Sequence, residues 1–128
     1  MEAVAFYSIE NIASFAGRAK RGPSAVAGIV GLFKALTPHG YTYTLEALDT
    51  SQPFDDRLAE IVVPTLCIVG DEDPALDDVK FVHRQISGSE LVVVANAGHF
   101  ANLDQTEVFN REILTFLTRV DAQRALIS

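Results

Sequence analysis

Two side chains in this sequence have the types and setting for proton-transfer chemistry. Asp73 ends the stretch Thr65-Leu-Cys-Ile-Val-Gly-Asp-Glu-Asp73, and His99 ends Leu91-Val-Val-Val-Ala-Asn-Ala-Gly-His99. A carboxylate that accepts the Nδ1 proton of a histidine fixes its tautomer and stabilises the imidazolium formed during proton transfer. Such a pair is the acid–base half of a nucleophilic hydrolase. The acids Asp71, Glu72 and Asp73 also permit two other readings: a solvated strand-end turn, or a Mg²⁺ site facing a phosphate. No Gly-rich phosphate loop accompanies them, which disfavours the metal.

Two strands and a crossover must deliver these groups to one place. Thr65–Val69 and Leu91–Ala95 are uncharged, rich in β-branched residues and free of polar/apolar alternation. That is the pattern of a parallel strand covered on both faces. Between them Asp77 is placed to cap a helix carrying Val79, Val82 and Ile86 on one side, which Ser87-Gly88-Ser89 ends. The carboxyl ends of parallel strands share one rim, where open α/β folds place their sites. Asp73 and His99 are thus expected side by side, each just past a strand.

The stretch Ile61-Val-Val-Pro-Thr-Leu-Cys-Ile-Val-Gly-Asp-Glu-Asp73, followed by Ala97-Gly-His-Phe100 and a closing amphipathic helix, resembles the end of an α/β-hydrolase. It is most similar to the esterase, enol-lactonase and haloperoxidase-like branch. The resemblance is strongest over residues 58 to 118 and implies Asp73, rather than Asp71, as the triad acid and His99 as the base, in the family's chain order. It also implies a small carboxylic ester or enol-lactone as substrate, no cofactor and no metal, with Phe100 as a wall of the substrate pocket. Residues 2 to 48 are similar to the helical cap that the family inserts ahead of this strand.

The sequence departs from the family in its nucleophile. A Gly-x-Ser-x-Gly elbow between strand and helix is not found in these 128 residues. Its nearest imitation, Gly22-Pro-Ser-Ala-Val26, follows an alanine- and charge-rich helical segment, so Ser24 is expected to cap the next helix rather than attack a carbonyl. The expectation is therefore a partial α/β-hydrolase: a cap-like segment over 1–50, and over 51–128 a βαβ unit with strands near 65–69 and 90–95 and a C-terminal helix. Activity would need a complementing N-terminal half, and the chain alone is expected to be inactive. A second reading is a non-catalytic half that persists as a homo-oligomer or interaction module, because a two-strand apolar sheet leaves edges open. A third is that Met1 is internal to a longer reading frame, which the DNA upstream would show.

Local signals fill in the rest. Ala5, Ile9, Ile12 and Ala16 suggest a helix over 2–20, broken by Gly22-Pro23. Val26, Ile29, Val30 and Phe33 mark a second over 24–36, in which Gly28 and Gly31 either weaken the helix or admit a close neighbour. Thr37-Pro38-His39-Gly40 reads as a turn, Tyr41, Leu45 and Leu48 as a third helix, and residues 49–53 as a loop. Residues 55–61 suit a short helical turn. Asp104 and Glu107 fit a capping box opening a last helix with Phe109, Ile113, Phe116, Leu117 and Val120 in a stripe, and 121–128 are expected to fray. His83 is expected on the solvent side of the crossover helix and His39 in a turn, neither with a partner.

Composition narrows the class. With 10 Lys and Arg against 17 Asp and Glu, the net charge is −7, and there is no basic stripe to bind nucleic acid or an anionic membrane. The single cysteine, Cys67, excludes an internal disulfide and lies mid-strand as a small core residue. Apolar runs such as Ala25–Phe33 are too short to span a bilayer, and Met1-Glu2 lacks a basic leader, so a cytoplasmic location is expected.

Overall fold

A computed structural model describes residues 1–51 and 54–126. The chain divides into two units, Met1–Phe54 and Asp55–Ser128. The first is helical: α1 (Glu2–Asn11), α2 (Ala13–Ala19), α3 (Pro23–Ala35) and α4 (Pro38–Asp49). Its core is Ala5, Ile29 and Phe33, with Ile9, Phe15 and Val30 packed around them. The Phe33 ring lies 5.4 Å from that of Phe15 and 5.7 Å from that of Tyr41. These aromatic pairs add to the plain burial of area.

Several helix boundaries differ from the sequence expectation, each for a local reason. The single helix expected over 2–20 is two, because Ile12 is extended at φ −113° and ψ 117°. A β-branched side chain suits that conformation, and the Asn11 amide donates to the Tyr7 carbonyl at 2.8 Å as α1 ends. Ser24 does not cap α3. Gly22, at φ 112°, holds the N-cap position, with Pro23 in the first turn, where a proline sacrifices no helical hydrogen bond. Thr37-Pro38 is not a turn but the start of α4: Thr37 Oγ1 accepts the Gly40 N–H at 3.1 Å. In the loop expected over 49–53, Asp49 still belongs to α4, and Gln52 and Pro53 lie outside the described residues.

Gly28 and Gly31 have open space where a Cβ would stand, with nothing within 4 Å. No close neighbour explains them among the described residues. Replacing either by alanine is therefore expected to stabilise the helical unit by about 0.5–1 kcal/mol, through the lower backbone entropy of the unfolded chain. Thermal melts of the single variants check this.

The second unit carries the sheet. A 3₁₀ turn (Asp55–Glu60) leads to β1 (Leu66–Gly70), α5 (Leu76–Gln85), β2 (Glu90–Val94), α6 (Ala101–Asp104) and α7 (Thr106–Ala125). The strands are parallel, with Leu66 opposite Glu90 and Gly70 opposite Val94. Ahead of that register Glu90 N–H already donates to the Thr65 carbonyl at 2.9 Å. The mixed α/β class and the βαβ unit are thus as the sequence implies, with β1 displaced by one residue.

Alternation along the strands sorts the faces. Val94, with Ile68 and Val92, packs against Val108 and Phe109 of α7. Cys67 and Val69 of the alternate face are buried, and α5 also lies against both strands. Coverage is incomplete, since Val93 remains 43% exposed. Leu117, expected in the inward stripe of α7, is 49% exposed.

Three further expectations are corrected. Asp77 lies within the first turn of α5 instead of capping it; Ala75 is the N-cap residue. The end expected to fray is helical to Ala125, with Ile127 and Ser128 outside the described residues. His83 is half-buried and has a partner, its Nδ1 lying 2.8 Å from Ser89 Oγ, which itself donates to the His83 carbonyl at 2.9 Å. Ser89 thereby fixes the turn between α5 and β2 to the end of the helix.

Cys67 is buried as expected, and burial pushes its thiol pKa up. The thiolate is the reactive form, so at pH 8 native Cys67 is expected to react with a disulfide reagent more slowly than in denaturant.

Candidate active site

The two loops at the carboxyl edge of the sheet are tied together by their backbones before any side chain acts. Asp71 N–H donates to the Val94 carbonyl and Glu72 N–H to the Ala97 carbonyl, both at 2.9 Å. These bonds carry the parallel pairing beyond the strands. They also bring the 97–98 peptides over the end of β1, where only a glycine fits. A Cβ on Gly70 would overlap the Ala97 carbonyl and come within 2.5 Å of Gly98 O.

Asp73 and His99 meet on this frame. His99 Nδ1 lies 3.1 Å from Asp73 Oδ1 and 3.2 Å from Oδ2. The Asp73 side chain is only 8% exposed, whereas His99 is 50% exposed. Asp73 Oδ1 also accepts the Ala75 N–H at 2.9 Å, so the carboxylate that faces His99 satisfies the start of α5 as well. With Nδ1 donating to Asp73, the imidazole is held in the tautomer whose Nε2 lone pair can accept a proton. The pair expected from the sequence is therefore assembled at one rim.

Phe100 is half-buried, its ring edge-on to the His99 imidazole at 5.6 Å between centroids and 88° between planes. A cavity of about 270 Å³ in this unit, lined by Pro64, Glu90 and Phe116 among others, lies at the opposite end of the strands. Ser24 is on the exposed side of the first turn of α3.

The other acids have separate tasks that the sequence did not show. Asp71 Oδ1 accepts the Ala97 N–H at 3.2 Å, and Asp104 Oδ2 accepts the Gly98 N–H at 2.9 Å. Asp104 thus reaches back to the histidine loop instead of forming a capping box with Glu107, and α7 starts without a side-chain cap. The one available signal was spacing, because Asp71 to Ala97 is the same 26-residue step as Asp73 to His99. Among the described residues no three His, Cys, Asp or Glu side chains converge as a metal ion would need, and no helix is long and apolar enough to cross a membrane.

The fold is similar to that of known hydrolases. No protein-family model matches the sequence. A 2-hydroxy-6-oxononadienedioate/2-hydroxy-6-oxononatrienedioate hydrolase of Klebsiella pneumoniae is 35% identical over 82 residues, a match covering 62% of this chain and 28% of that protein. The enol-lactonase of Burkholderia xenovorans LB400 superposes with a TM-score of 0.75 at 26% identity, over 92% of this chain and 45% of its own. MenH from S. aureus superposes with a TM-score of 0.77 over 90% of this chain and 44% of its own; at 23% identity it supports the fold alone. The chain thus spans under a third of the curated relative and about half of the solved neighbours. With its βαβ unit and its acid–histidine rim, this chain has the α/β-hydrolase fold and is similar to a part of the hydrolases it matches.

Proposed function

We propose that this chain supplies the acid and base of a Ser-His-Asp hydrolase acting on a small carboxylic ester or lactone, and that the nucleophile comes from a segment outside these 128 residues. The observation that carries the proposal is the contact of His99 Nδ1 with both oxygens of a nearly buried Asp73. In this reading His99 Nε2 takes the proton of a serine hydroxyl as its oxygen attacks the substrate carbonyl, and returns it to the leaving alcohol. Water then attacks the acyl-enzyme by the same route. Asp73 orients the ring throughout, and the oxyanion donors come with the nucleophile segment. Phe100, beside the base, forms a wall for the substrate. The enol-lactonase neighbour and the hydrolase relative support hydrolysis of a small carbonyl substrate. The expected partners are that substrate and the complementing half, in the cytoplasm, without nucleic acid or membrane.

Mixing the chain with the nucleophile-bearing half of a related hydrolase tests this. Turnover of an aryl ester is expected from the mixture, from neither part alone, and not from a mixture containing His99→Ala. Failure of every such half to restore turnover would count against the proposal.

A specific observation favours a second reading as an interaction module. The sheet has two strands among the described residues, and Val62, Val63, Val93 and Leu114 are exposed around it. Unpaired strand edges and apolar surface promote association. In that case sedimentation at micromolar concentration shows an oligomer, whereas a well-folded monomer dismisses the idea.

A further inference from the structure

We infer that Asp104, together with Asp71, is a positioning residue for His99: the two carboxylates hold the successive N–H groups of Ala97 and Gly98, immediately before the imidazole. The inference rests on His99 being the base. It concerns carboxylates that act on the backbone ahead of the imidazole.

The geometry is specific. Asp71 follows β1 directly and binds Ala97 N–H at 3.2 Å; Asp104 ends α6 and binds Gly98 N–H at 2.9 Å. The loop they grip belongs to neither strand nor helix. It turns through Asn96 at φ 54°, a left-handed conformation that asparagine tolerates better than most residues. Ala97 and Gly98 are buried, so their N–H groups need partners inside the protein. Carboxylates are strong acceptors for them, because such bonds are charge-assisted.

Asp104 also had a nearer task available. The pattern Asp104-x-x-Glu107 would cap α7, yet that helix starts without a side-chain cap while the carboxylate reaches back six residues. The consequence falls on His99. Its Nδ1 lies 3.1 and 3.2 Å from the two Asp73 oxygens, near the long end of the hydrogen-bond range. The peptide just before it is that of a glycine, whose backbone is the most permissive. Once the Gly98 N–H is released, a modest rotation carries Nδ1 out of reach of Asp73, and catalytic geometry tolerates little displacement.

The test uses the 128-residue chain itself and needs no turnover. Its first arm follows the Ala97 and Gly98 amide protons by NMR as pH is lowered through the carboxylate range. Both are expected to move upfield as their acceptors protonate, and a Gly98 amide that stays fixed overturns the inference. The second arm compares the His99 ring tautomer, read from its ¹⁵N shifts, in Asp104→Ala and Asp104→Asn. The alanine variant removes the acceptor and is expected to lose at least half of the Nδ1–H tautomer. The asparagine variant retains an oxygen acceptor for Gly98 N–H and is expected to keep it, as is Glu107→Ala. An Asp104→Ala protein that folds and keeps the wild-type tautomer overturns the inference. If the alanine variant does not fold, the wild-type titration and the asparagine variant decide the matter. Failure of the hydrolase proposal would appear separately, as absent turnover with these NMR readings intact.

Discussion

Asp73→Asn is expected to lower kcat of the reconstituted enzyme by about 10⁴-fold, close to 5 kcal/mol of transition-state stabilisation, with KM little changed. The reason is a proton, not a shape. The Ala75 N–H donates to Asp73 Oδ1 at 2.9 Å, so in the variant the amide oxygen keeps that position. The new NH₂ group then replaces Oδ2, which stands 3.2 Å from His99 Nδ1. It donates to Nδ1 and forces the proton onto Nε2, the nitrogen that must be free to accept from serine. Steady-state kinetics on the mixture check the magnitude. A variant within tenfold of wild type would show that Asp73 only caps the start of α5 and has no part in the reaction.

Gly70→Ala is the substitution expected to damage the fold most. Its Cβ would overlap the Ala97 carbonyl oxygen and approach Gly98 O to 2.5 Å. Both obstacles are backbone, and the Ala97 carbonyl is held by the Glu72 N–H, so neither can swing aside as a flexible side chain would. The loss is expected to reach about 4 kcal/mol or more, against a typical total stability of 5–15 kcal/mol. Gly98→Ala is the control. There the nearest atom is Asp104 Oδ2 at 3.6 Å, an ordinary contact, and the expected cost is about 1 kcal/mol or less. Urea melts distinguish the two, and equal midpoints would refute the steric account of Gly70.

The parts of this arrangement that could be read from sequence are those set by short-range pattern. Two uncharged β-branched runs flanking an amphipathic segment specify strand, helix, strand, and parallel pairing follows from the crossover. That was enough to bring Asp73 and His99 to one rim. The start of α4 was also legible: Thr37 followed by Pro38 is an N-cap and first-turn signal, and reading it as a turn gave the proline the wrong role. The break at Ile12 was less accessible, since an isoleucine at helical spacing looks like part of the stripe. Asp71, Asp104 and Gly70 were hidden for another reason. Each acts on the 97–98 peptides, and the path of that loop over the end of β1 is a tertiary fact. Asp104 even offered a misleading local alternative, because a capping box and a reach back to Gly98 require the same residue type.

The proposed chemistry requires Asp73 to hold the imidazole of His99 with the proton on Nδ1. ¹⁵N NMR of the His99 ring in the wild-type chain, at a pH where the imidazole is neutral, measures this directly. The Nδ1–H tautomer is expected, together with a low-field Nδ1 proton that disappears in Asp73→Ala. A ring in the Nε2–H tautomer, insensitive to that substitution, would contradict it.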